Sequence, residues 1–181
     1  SVGIQAPLRI RIIDKAPENE GTIRKEDWDE ASDYLRVIRF VQWSRPGDTF
    51  YARVGELSGA TLGHGTVMNN YLNVVDIDHF QLGIDTELNL DMGGGEFVLD
   101  NVIAPEIFSV RAYVQPWYFV DPEAFLTNWS VGASVTMDTG APSTLRFDPA
   151  TGDPMVDDAN NLEFASEAVS IIGLDTDFTV L

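Results

Sequence analysis

Two histidines are the chain's only side chains that titrate near neutrality without help from their surroundings: His64, set between Gly63 and Gly65, and His79. Flanking glycines let a backbone approach a ligand closely and leave an imidazole open. The Gly63-His64-Gly65 run lacks the ordered glycines and the following Lys-Ser/Thr of a phosphate-binding loop, so it reads as a turn or a constriction. Two histidines can meet in space, but their spacing does not define a metal site. Asp85 and Glu87 lie two residues apart and so share one face of a strand. With a third acid across a sheet they could form a glycosidase-like pair. A chain with 29 acidic residues offers such pairs by chance, and it has no cysteine and no glycine-serine nucleophile elbow. No catalytic set stands out, and the chain is expected not to be an enzyme.

Two acidic stretches invite a calcium reading. In residues 18–27, placing Gly21 at the bend of a calcium loop puts Ala16 where the first ligand belongs, so a solvated loop is the better account. Asp153, Asp157 and Asp158, with Asp148 close by, surround Gly152 and make a second oxygen-rich candidate for weak calcium binding. No other cofactor is indicated.

Eleven basic residues against 29 acidic ones give a net charge of -18, too little positive charge for a nucleic-acid partner. Hydrophobic residues at 44% can still organise a core or a lipid-facing belt. No apolar run is long enough for a transmembrane helix, a test that strands escape because their spans alternate.

The elements that must position these residues are strands. Leu8, Ile10 and Ile12 alternate with Arg9 and Arg11; an acidic insertion at 14–33 follows, then a strand over 34–43, the turn Arg45-Pro46-Gly47-Asp48 and a return from Phe50 to Leu57. Residues 58–73 are rich in glycine and asparagine and read as a long loop or an irregular strand pair. From His79 to Leu90 the alternation is strict, with Phe80, Leu82, Ile84, Leu88 and Leu90 opposite His79, Gln81, Asp85, Glu87 and Asn89. Gly93, Gly94 and Gly95 suggest a turn, with Glu96 to Val102 returning. Ile107 to Tyr118, Thr127 to Asp138 and Ala168 to Val180 alternate likewise, and a polar loop is expected at 139–161. About eight strands and no long helix make one all-β, antiparallel domain spanning 1–181.

Long half-polar strands suit an outer-membrane-type β-barrel, complete or part of a larger one. A soluble β-sandwich or calyx-like barrel is the alternative, since it alternates too. In the barrel, Leu82, Ile84, Leu88, Val131, Ala133, Val135, Ile172 and Leu174 face lipid, and Trp43, Tyr51, Trp117, Tyr118 and Trp129 form interfacial girdles. Arg9, Arg11, Arg53, His64, His79, Asp85, Glu87 and Arg111 then line the interior or contact a ligand. An open lumen would conduct, whereas eight strands alone enclose a side-chain-filled interior.

The stretch from Tyr51 through Gly55, Gly59, Gly63-His64-Gly65 and Thr66 to Asn69-Asn70-Tyr71 resembles a segment of porin-like outer-membrane proteins of Gram-negative bacteria, and the later hairpins resemble the same class. The resemblance implies an outer-membrane location and barrel architecture and transfers no catalytic residue or solute. Leu181, where barrels usually end on an aromatic, departs from it and suggests a longer barrel. The expected partners are membrane lipid, small polar solutes and further copies of the chain. The soluble alternative is a periplasmic or secreted domain that binds carbohydrate or protein, with Trp117, Tyr118 or Trp129 stacking on the ligand.

Overall fold

A computed structural model describes residues 1–5, 37–74, 81–157 and 161–178. Arg9, Arg11, His79, Asp158, the segment 8–12 and the insertion 14–33 lie outside them. The alternating segments form the strands β1 (Val2–Ile4), β2 (Ile38–Trp43), β3 (Phe50–Gly55), β6 (Gly83–Leu90), β7 (Gly93–Leu99), β8 (Ile107–Val114), β9 (Trp129–Leu145) and β10 (Phe164–Phe178). They make one eight-stranded sheet in the order β1-β2-β3-β6-β7-β8-β9-β10, every neighbour antiparallel. β4 (Ser58–Ala60) and β5 (Tyr71–Leu72) pair separately within the connection from β3 to β6. Among the described residues the sheet is not closed: β1 and β10 are its edges. Among the described residues no helix is long and apolar enough to cross a membrane, which says nothing of strands.

Registry sorts the side chains onto two faces. Arg53 pairs with Asp85, Asp85 with Val98, Arg111 with Ser134 and Ser134 with Gly173, so these share what we call the inner face. Val54, Ile84, Leu88, Val110, Val131, Ala133, Val135, Ile172 and Leu174 lie on the outer face. Burial runs opposite to polarity. Ser109 is 0% and Arg111 6% exposed, with Asp85, Ser130, Ser134 and Thr136 also buried, whereas Ile172 and Leu174 are 78% and 83% exposed. The small apolar core, Leu57, Ala60, Leu62, Met68 and Val98, lies where the β3–β6 connection folds back onto the inner face.

The connections are asymmetric as well. Residues 44–49, 91–92 and 115–128 link strands at one end of the sheet, and 5–37, 56–82, 100–106 and 146–163 at the other.

Several expected boundaries move, each for a local reason. β6 begins at Gly83 and not at residue 79: the Gln81 carbonyl accepts from Asn73 Nδ2 at 3.2 Å and the Leu82 carbonyl from the Val102 N–H at 2.8 Å, which replaces ladder bonds there. Leu82 therefore precedes the strand. The glycine triplet is strand, not turn. Asp91 and Met92 make the turn, and Gly94 runs so close to β6 that a Cβ would sit 2.1 Å from the Leu88 carbonyl oxygen. β8 stops at Val114 because Pro116 cannot donate to a ladder and opens a 3-10 turn, Pro116–Phe119. The loop expected at 139–161 starts later, because β9 runs on to Leu145 against β10 as far as Phe164. Beyond Asp138, residues Ala141, Pro142, Thr144 and Leu145 pair with Glu167, Ser166, Ala165 and Phe164, and two register shifts leave Thr139, Gly140 and Ser143 without a strand partner. Tyr51, expected in an aromatic girdle, is a buried inner-face residue beside Asp85, whereas Trp43 is exposed.

Gly94→Ala is expected to lower stability by about 1–3 kcal/mol by forcing β6 and β7 apart. Gly95→Ala on the outer face, where the nearest atom is 3.4 Å away, is expected to be near neutral. Equal denaturation midpoints for the two variants would contradict this packing.

Candidate functional site

The inner face is organised around one cation. Arg111 on β8 forks onto Asp175 of β10, Nε to Oδ2 at 3.0 Å and Nη2 to Oδ1 at 2.5 Å, and Nη1 reaches Glu96 Oε1 of β7 at 2.6 Å. β9 lies between β8 and β10, and the fork must pass over it. It passes over Gly132, where a Cβ would stand 2.6 Å from Asp175 Oδ1 and 3.0 Å from Arg111 Nη2. The absence of a side chain at residue 132 is what lets strands two apart form this pair.

The connection between β3 and β6 docks on the same group. Gly63, at φ +55°, donates its N–H to Glu96 Oε2 at 2.5 Å and presses on the guanidinium so closely that a Cβ would lie 2.5 Å from Nε. The glycine-flanked histidine thus brings backbone close to the protein's own wall. His64 itself is half exposed, with Nε2 3.9 Å from Asp175 Oδ1. Leu57, Ala60, Leu62 and Met68 pack against Val98, with Tyr71 and Ile107 around them. Burying a leucine-sized side chain contributes about 2 kcal/mol. Burial also pushes the Tyr71 hydroxyl up to about 12.

Asn73 ties the ends of this connection, and the reading of the sequence missed it. Its Oδ1 accepts from Leu57 N at 2.7 Å, and its Nδ2 donates to the carbonyls of Asp100 at 2.9 Å, Gln81 at 3.2 Å and Gly55 at 3.3 Å. An asparagine closing a glycine-rich segment was the available signal; its four partners come from three places in the chain, residues 55–57, Gln81 and Asp100. The same holds for Glu96 and Asp175, which became site residues only once Arg111 was placed between them.

The other expected interior residues take different roles. Arg53 lies on the inner face, its Nε on the Glu56 carbonyl at 2.7 Å and its guanidinium 3.9 Å from the Phe40 ring centre. Asp85 receives a long bond, 3.4 Å, from the Tyr51 hydroxyl. Glu87 Oε2 accepts from the Gly47 N–H at 2.7 Å. Asp48 braces that turn by accepting from the Ser44 hydroxyl and from Arg45 N, bonds that hold its carboxyl below the usual range. The brace is complete above the ordinary carboxylate pKa and is lost as pH falls through the depressed value.

Arg53, His64, Asp85, Glu87 and Arg111 therefore belong to one face and its covering loop. Of the calcium candidates, Asp157 binds Asn161 through both carboxylate oxygens, at 2.8 and 3.1 Å. The Asp153 carbonyl accepts from the Asp148 N–H at 2.9 Å. Among the described residues no three acidic or histidine side chains are grouped to hold a metal ion. Comparison with family models, with curated proteins and with solved structures found no match to this chain.

Gly63→Ala is expected to dislodge the covering loop, because neither the positive φ nor the guanidinium contact accommodates a methyl group. Faster proteolytic cleavage within residues 58–73 in an otherwise folded chain would be the readout. Cleavage as slow as in the wild type would contradict the latch.

Proposed function

We propose that this sheet is the wall of a porin-like outer-membrane β-barrel that provides passive passage for small polar solutes, cations preferred. One observation carries the reading: the apolar face of the sheet is the exposed one, and the polar face is covered and internally paired. Exposed apolar surface on this scale favours misassembly in water and is satisfied by hydrocarbon. Two of the three connections at one end of the sheet are tight turns, 44–49 and 91–92, and three of the four at the other are long, a bias that suits the same architecture. Lipid does not tolerate unpaired strand edges, so β1 and β10 must both be covered in the assembled barrel. With eight strands, each antiparallel to the next, those edges run in opposite directions, as an antiparallel closure or a junction between copies requires.

In this reading Arg111, Glu96 and Asp175 anchor the loop 57–73 against the wall, where it narrows the passage. Asp85 and Glu87 place negative charge beside it and favour cations.

The purified chain is expected to fold only in detergent or lipid and to change gel mobility on heating. Asp85→Asn with Glu87→Gln is expected to reduce the cation preference of its conductance in bilayers. A compact β-monomer in plain buffer would overturn the membrane reading and assign the apolar face to a partner in water. Unchanged selectivity in the double variant would remove these carboxylates from the ion path.

A further inference from the structure

At the short-connection end of the inner face lies a cleft of about 640 Å³, formed between the turn after β6 and the connection from β8 to β9. Glu87, Asp91, Tyr113, Gln115, Tyr118 and Asn128 are among the residues that line it. Among the described residues, no arginine, lysine or histidine lines it. Deeper in the face the carboxylates Glu96 and Asp175 share one cation, Arg111. Asp91 makes no hydrogen bond or ion pair among the described residues, and the side chains of Gln115 and Asn128 make no hydrogen bond there.

We propose that this cleft binds an extended organic cation carrying primary amines. An anion would meet two carboxylates and no cationic donor. A bare metal ion is usually held by several converging oxygens, carboxylates among them, and the described residues hold no group of three acidic or histidine side chains placed for one. Ammonium groups are donors only, which matches acceptor-only carboxylates and free amide carbonyls. An aromatic ring favours a cation over a neutral solute, and Tyr118 lines the cleft, whereas the Tyr113 ring already carries the Arg111 guanidinium 4.9 Å from its centre. The assignment goes beyond passive permeation and does not depend on membrane insertion, because it concerns only the folded inner face.

The test is calorimetric titration of the folded full chain, in whichever medium it folds, with 1,4-diaminobutane at low ionic strength. Saturable binding is expected, weakened at least tenfold in Glu87→Gln/Asp91→Asn. Tyr118→Ala, on an exposed connection, is expected to weaken the diamine severalfold while leaving any Mg²⁺ response unchanged. A diamine isotherm unaltered in the double variant would overturn the proposal. So would displacement by sodium or Mg²⁺ at matched ionic strength as effective as by a second diamine, which would reduce the effect to a counterion atmosphere. Binding of maltose in place of the diamine would assign the cleft to saccharides and also end the proposal. A conductance failure with diamine binding intact would touch only the membrane reading.

Discussion

A buried guanidinium shared by two carboxylates holds this structure together. Removing Arg111 and its partners from water costs several kcal/mol per ion, and only close geometry with fully used hydrogen bonds offsets that. The geometry is close: one fork to Asp175 and one bond to Glu96, with Gly63 against the same group. Four parts of the chain, β7, β8, β10 and the loop between β3 and β6, meet at one cation. The glycine at residue 132 is a consequence of that meeting, because any side chain there would separate Arg111 from Asp175. Gly173 lets the loop approach in the same way, with Val67 2.7 Å from where its Cβ would stand.

A sheet with charge inside and aliphatic side chains outside inverts the usual arrangement of a protein in water. Ser109, Thr136 and Ser134 are buried, with Ser109 and Thr136 joined by a 2.8 Å hydroxyl bond, while Ile172, Leu174 and Val131 face outward. The inversion is selective. The loop retains an ordinary apolar core of Leu57, Leu62 and Met68, but that core lies on the polar side of the sheet. Such an arrangement is stable only where the outer face is removed from water, by hydrocarbon in the reading proposed above.

Much of this was legible in the sequence because strand periodicity needs only near neighbours. Asp85 and Glu87 fell on one face with Arg53 and Arg111, and Ile84, Leu88, Val135 and Leu174 on the other, as the alternation requires. What stayed hidden depends on distant partners. Asn73 reads as a loop asparagine until its four bonds are known. Tyr51 reads as a girdle aromatic until registry turns it inward beside Asp85. The triplet Gly93-Gly94-Gly95 carries a turn signal, yet Gly93 and Gly94 are needed for close strand approach beside Tyr113. Glu96 and Asp175 were two acids among 29 until Arg111 stood between them.

The most direct measurement of the inverted sheet uses the absence of cysteine from the chain. Single cysteines at residues 169–172 and 174 of β10, each carrying a nitroxide, would be read in lipid vesicles for collision with oxygen and with a water-soluble nickel complex. Oxygen access is expected at 170, 172 and 174, with nickel access at 169 and 171, alternating with a period of two. Nickel access at all positions, or the reverse phase, would contradict an outer face turned to lipid.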